Sequence, residues 1–175
     1  MNRNHYPGVY RGTVVSNLDP EMRGRLMLTI ADVLAFIPST WAEPCTPLSG
    51  STGPGMGVYM VPPPGAAVWV MFEHGDVNKP VWIGCRFDTG SDTPAMANQG
   101  NPVDPNLVIQ SLLQNMVVIS DMPPTPVTGG ILLRSTTGAM VVVNDSGIYL
   151  DNGKGASISL VGPTINFNLG AMTIT

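Results

Sequence analysis

The chain has 175 residues, of which only 11% are charged and 6% aromatic, and its formal net charge is -4. A chain so poor in basic residues has no surface able to neutralise a run of phosphates, which argues against nucleic acid as a partner. Its 20 glycines and 17 prolines predict mostly strand and turn, in one domain of ordinary size plus an extension.

The opening segment MNRNHYPGVYRG lacks an apolar core of signal-peptide length. No run of about 18 apolar residues occurs that would span a bilayer, so a soluble protein assembled in the cytoplasm is expected. Cys45 and Cys85 have no CxxC spacing, and one pair does not make a disulfide framework. Cys85, within VWIGCRF, reads as a core residue.

Residues 1–90 contain five strand-like runs: GVYRGTVVSN, GRLMLTI, GVYMV, AAVWVMFE and PVWIGCRF. Turn chemistry separates them, with Asp19-Pro20 and Gly24 between the first two, PPPG before the fourth and HGDVNKP before the fifth. Five short strands with one long connection around FIPSTWAEPCTPLSGSTGPGMG predict a small Greek-key barrel of the OB type. A sandwich is the competitor, and it usually needs about seven strands.

Residues 91–106, SDTPAMANQGNPVDPN, have no hydrophobic period and read as a linker. The following LVIQSLLQNMVVIS is ambiguous between helix and strand, and strand is the reading adopted. Residues 107–175 are expected to form one β-rich unit. Within it, glycines at 138, 147, 155, 162 and 170 are spaced by 9, 8, 7 and 8 residues, an internal repeat.

Between these glycines Ile148, Leu150, Ile158, Leu160, Ile165, Phe167, Leu169, Met172 and Ile174 fall on one side of the alternation. Ser157, Ser159, Thr164, Asn166, Asn168 and Thr173 fall on the other. A step of about eight residues has room for a strand and a tight turn but not for a crossover helix. One copy of such a ribbon cannot bury its apolar side, whereas three copies about a common axis can. The expected trimer core is therefore Ile148, Leu150, Ile158, Leu160, Ile165, Phe167 and Leu169.

The run GVYRGTVVSNLDPEMRGRLML, the later GVYMVPPPGAAVWVMFEHGDVNKPVWIG, and the ribbon ending TINFNLGAMTIT together resemble the central spike proteins of contractile tails. These are baseplate assembly protein V of phages and the OB-plus-β-helix portion of the valine-glycine repeat protein of type VI secretion. The resemblance covers nearly the whole chain, with matching positions at Asp19, Pro20, Gly24, Arg25, Gly65, Phe72, Gly75, Asp76, Pro80 and Gly84. Read on their own chemistry these residues are scaffold: turns, permissive backbone and loop-closing hydrogen bonds.

The fold implied is all-β, an N-terminal five-stranded OB barrel over 1–90 followed by a short trimeric β-helical needle over 107–175. The function implied is structural: a homotrimer in a phage tail baseplate or contractile injection particle that pierces the target envelope when the sheath contracts. A ring of hub proteins would hold the barrel. Only seven residues precede GVYRG, so the hub is expected to be a separate polypeptide. Some phage needles end in a His-x-His pair that binds iron, but the histidines here are His5 and His74, far from the tail.

An open strand edge at the chain end needs a cover. Ala171, Met172, Thr173, Ile174 and Thr175 are thus expected to meet a separate tip protein, which the resemblance suggests is a PAAR-type cone of Pro-Ala-Ala-Arg repeats.

No catalytic residue, cofactor or metal ligand is expected. His74 beside Glu73 and Asp76 lacks a second ligand at a usual spacing and reads as a turn. No serine has a Gly-x-Ser-x-Gly context, and GSTGPGMG lacks the Gly-Lys-Ser/Thr ending of a phosphate loop, so it reads as a flexible loop. Arg23 and Arg25 read as surface or hub contacts. The alternative to the spike is an OB module that binds oligosaccharide or nucleic acid, disfavoured by the scarcity of aromatic and basic residues.

Overall fold

A computed structural model of the chain describes residues 5–50, 53–121 and 129–174. It divides into two compact units, Met1–Gly90 and Ser91–Thr175. Both are built of strands, in agreement with the all-β expectation.

The first unit is a curled five-stranded sheet in the order β2-β1-β6-β7-β3. Its strands are β1 (Tyr10–Ser16), β2 (Met27–Thr29), β3 (Glu43–Pro44), β6 (Ala67–Phe72) and β7 (Pro80–Cys85). A short ribbon of β4 (Ser49–Gly50) and β5 (Met56–Gly57) lies outside this sheet, and one helical turn, α1 (Ala31–Leu34), follows β2. Alternate residues of each strand point inward. Val14, Leu28, Val68, Val70, Phe72 and Trp82 thereby meet Leu26, Ile30 and Ala42 in one buried core. Gly12 permits a close approach of β1 to β6, since a Cβ there would lie 2.8 Å from Val70 Cγ2.

Two expectations for this unit need correction. GVYMV at 57–61 is not a sheet strand; only Gly57 is paired, and the fifth strand is Glu43–Pro44, running parallel to β7. The reason lies in Pro62, Pro63 and Pro64, which supply no N–H donors and withdraw this stretch from a ladder. Cys85 is exposed rather than in the core. The β6–β7 register shifts between Trp69 and Val70, because Trp69 faces Gly84 while Val70 faces Trp82. That bulge leaves Ile83 unpaired, and Cys85 follows it as the exposed last residue of β7.

The second unit is an eight-stranded antiparallel meander in which every strand pairs with its neighbours in sequence. The strands are β8 (Leu107–Gln110), β9 (Met116–Ser120), β10 (Gly130–Arg134), β11 (Met140–Asn144), β12 (Gly147–Asp151), β13 (Ser157–Val161), β14 (Thr164–Phe167) and β15 (Met172–Ile174). The glycine step marks the reversals. At Gly147 the need is also steric, because a Cβ would lie 2.1 Å from the Leu160 carbonyl oxygen.

Residues 91–106 form two short 3-10 turns, Gly90–Asp92 at their start and Ala95–Asn98 beyond it. Met96 packs with Val118, Leu132 and Val142 as a small core on one face of the sheet. Asn106 Nδ2 donates to the Met96 carbonyl at 2.7 Å and fixes this turn.

Candidate functional site

The register of the meander decides which side chains share a face. Ile148 faces Val143 and Leu160, Leu160 faces Ile165, and Ile165 faces Ile174. Continuing the other way, Val143 faces Ile131, Ile131 faces Ile119, and Ile119 faces Leu107. A second row on the same face runs Ile109, Val117, Leu133, Val141, Leu150, Ile158, Phe167, Met172.

Each strand thus contributes two residues, and all sixteen are apolar. None is buried, and twelve are exposed. Along the second row the face is concave, forming a trough of about 810 Å³ rimmed by Ser111, Asn115, Ser135, Asn152 and Asn168.

The opposite face changes character along the meander. Val108, Val118, Leu132 and Val142 stand in register on the first four strands, followed by Tyr149, Ser159, Asn166 and Thr173 on the last four. The charged strand residues, Arg134 and Asp151, lie on this polar side, both in register with Met140. An apolar face free of charge is suited to a dry interface and to nothing that requires a polar transition state.

Of the residues expected in a trimer core, Ile148, Leu150, Ile158, Leu160, Ile165 and Phe167 come together on this face. Leu169 does not join them. It sits in the 3-10 turn Asn168–Gly170 with φ 56 and is 98% exposed, because the chain leaves the strand after Phe167. Met172 and Ile174, expected at a tip, lie on the same apolar face through their pairing with Phe167 and Ile165. Ala171 is an exposed turn residue, Thr173 pairs with Asn166, and Thr175 lies outside the described residues.

Sequence reasoning missed the first half of the face: Leu107, Ile109, Val117, Ile119, Ile131, Leu133, Val141 and Val143. Their strands LVIQ, MVVIS, GILLR and MVVVN are apolar on both sides, so a period of two is hidden in the sequence. The available signal was the strand length between turns.

The barrel's polar cluster is structural. The Asp19 carboxylate accepts the backbone N–H groups of Glu21, Arg23 and Arg25, and is gripped by Arg25 Nε at 3.0 Å and Nη2 at 2.6 Å. The Arg25 guanidinium, followed by these backbone donors, holds the Asp19 carboxyl far below the usual carboxylate range despite the opposing effect of burial. Arg25 is consequently committed inside the β1–β2 turn and is not the surface contact expected of it. Arg23 remains exposed, bound to Glu21 and Glu43. Asp76 accepts the backbone N–H of Asn78, closing its own loop as expected.

Residues 10–87 match the type VI secretion system/phage-baseplate injector OB domain. Residues 106–173 match the phage baseplate V C-terminal trimerisation domain. No curated protein matches the chain. Between them the two family models leave out only the ends and residues 88–105, and the second covers the apolar face except for Ile174. That model describes a trimerisation domain, and an apolar face left open in one chain is consistent with such a domain. The chain belongs to the phage-baseplate V and type VI secretion family of contractile-tail spike proteins.

Proposed function

We propose that three copies of the chain join through the apolar face of the meander to make the central needle of a baseplate or injection particle, which pierces the target envelope on sheath contraction. The observation that carries this reading is the unbroken pair of apolar rows, two residues from every strand, exposed or half-buried in one chain. Three sheets with these rows inward would form a triangular prism about 34 Å long, from seven strand spacings of roughly 4.8 Å. The strands run across the axis and the hydrogen bonds that join them run along it, so bending the prism would require breaking several of those bonds together.

In this reading a hub ring grips the barrel and a PAAR-type tip protein covers β15. Met172 and Ile174 contribute to the shared core, so the tip partner would engage mainly the unpaired backbone edge of that strand. Against an oligosaccharide- or nucleic-acid-binding barrel stands the state of its tryptophans. Trp82 donates to the Gly24 carbonyl within the core, while Trp41 and Trp69 lie under Arg25 and Arg86. Stacking platforms for bases or sugars need free aromatic faces.

Light scattering on the purified chain at micromolar concentration tests the assembly, with a trimer expected and a monomer fatal. Electron microscopy of native particles with an antibody to the chain tests the placement. Label on the tail axis beyond the baseplate is expected, and label elsewhere would sink the needle.

A further inference from the structure

The barrel carries one element that its own core does not explain. After β3 the chain leaves the sheet, turns back as the β4–β5 ribbon and returns to β6. Ser49 pairs with Gly57, Gly50 pairs with Met56, and the Val58 N–H donates to the Leu48 carbonyl at 3.0 Å. Every described residue from Pro47 to Met60 is exposed, including Leu48, Met56, Val58, Tyr59 and Met60. A two-stranded ribbon with neither face covered is marginal in water, and a cluster of exposed apolar side chains marks a contact surface.

The ribbon does not stand alone. A Cβ at Gly24 would lie 3.4 Å from Tyr59 Cε2, so the tyrosine rests against the β1–β2 turn. That turn adds Leu18 and Met22, both more than 80% exposed, and Met22 is held in the left-handed region at φ 54. The charges beside it are already paired, Arg23 with Glu21 and Glu43, and Arg25 with Asp19. What remains for recognition is apolar, and its methionines can adapt to an uneven surface.

Connectivity suggests the partner. β3 and β7 run parallel, so the ribbon springs from the end of the barrel at which β7 also finishes. From there residues 86–90 lead directly into the unit that carries the trimerisation match. Three barrels tethered by so short a segment to one trimer face each other at effective concentrations of about a millimolar. A contact too weak to associate free molecules is then populated.

We infer that the β4–β5 ribbon, with Leu18 and Met22, docks on the barrel of a second copy of this chain in the same trimer. The inference rests on the homotrimer reading. Three identical contacts of this head-to-tail kind close into a ring.

The test uses the full chain carrying Tyr59→p-benzoylphenylalanine. Light scattering first establishes the mass, and a monomer would overturn the homotrimer reading itself. On a trimer, illumination is expected to give covalent dimers and trimers after full denaturation, with the cross-link mapping to residues 5–90 of another copy. A trimer that yields only monomer-sized products, or that cross-links only when another baseplate protein is added, overturns the docking while leaving the trimer intact. A second measurement compares hydrogen exchange in the trimer with that of the triple variant Met56→Ser, Tyr59→Ser, Met60→Ser. Residues 53–61 are expected to exchange about tenfold faster in the variant. Equal rates overturn the inference.

Discussion

In the barrel the apolar residues of β1, β2, β6 and β7 converge, and nine buried side chains form a core within one chain. In the meander sixteen apolar positions share a single face, yet among the described residues the buried cluster of that unit is Met96, Val118, Leu132 and Val142, on the opposite side. Both units are built from short antiparallel-paired strands, with one parallel pair in the barrel. The difference is closure. The barrel curls its sheet so that the inward face covers itself, whereas the meander extends strand by strand and leaves one apolar face open in a single chain. Strands thus give one unit with a core of its own and another that, on the proposed assembly, is expected to have a stability that depends on concentration.

The strongest way to break this contrast is a charge on the uncovered face. Ile158→Asp or Phe167→Asp is expected to abolish the trimer, because three unpaired carboxylates would meet at a dry interface. Asn166→Asp, in register on the polar face, should assemble normally. Light scattering on the three variants decides it, and equal behaviour would remove the distinction between the faces. Met172→Lys with Ile174→Lys belongs to the same class, weakened by its place at the sheet edge, and should loosen the last rungs without dissolving the trimer.

Next in size is the autonomy of the barrel. A chain ending at Gly90 is expected to show β-type circular dichroism and a cooperative melt that does not vary with concentration. Leu28→Ala in that fragment should cost about 2–5 kcal/mol, since a fully buried leucine leaves a cavity. In the full chain Ile148→Ala should instead make the second transition more sensitive to protein concentration.

A smaller effect separates the units by pH. Asp19 is held below its ordinary value of 3.8 only in the folded barrel. Its contribution to stability is complete above that value and is lost progressively as the pH falls through it. Melting of the barrel fragment should drop between about pH 5 and 2, and Asp19→Asn should flatten that slope while lowering stability at pH 7. An unchanged slope would mean the carboxylate does not titrate with folding.

The smallest effect sits at Leu169. If it is only a turn residue in a left-handed conformation, Leu169→Gly relieves strain and stabilises by about 1 kcal/mol. If a neighbouring copy packs on it in the trimer, the same change destabilises. The sign, read from thermal unfolding of the trimer, is the measurement.

Much of this architecture is legible in local sequence because it follows from short-range rules. Prolines and glycines punctuate the barrel strands, Asp19-Pro20 with Gly24 marks the first turn, and the eight-residue glycine step requires a chain that reverses without helices. The alternation from Ile148 to Phe167 assigns six residues to one face wherever the strands lie, since side chains alternate in any extended segment. Pairing is a different matter, because it depends on residues far apart in sequence. Only the tertiary structure selects Glu43–Pro44 over GVYMV as the fifth strand, places the bulge at Ile83, leaves Cys85 exposed at the strand end, and seats Met96 on the second sheet. Only the register shows that Leu107 through Val143 extend the apolar face, because strands apolar on both sides carry no period from which their facing can be read.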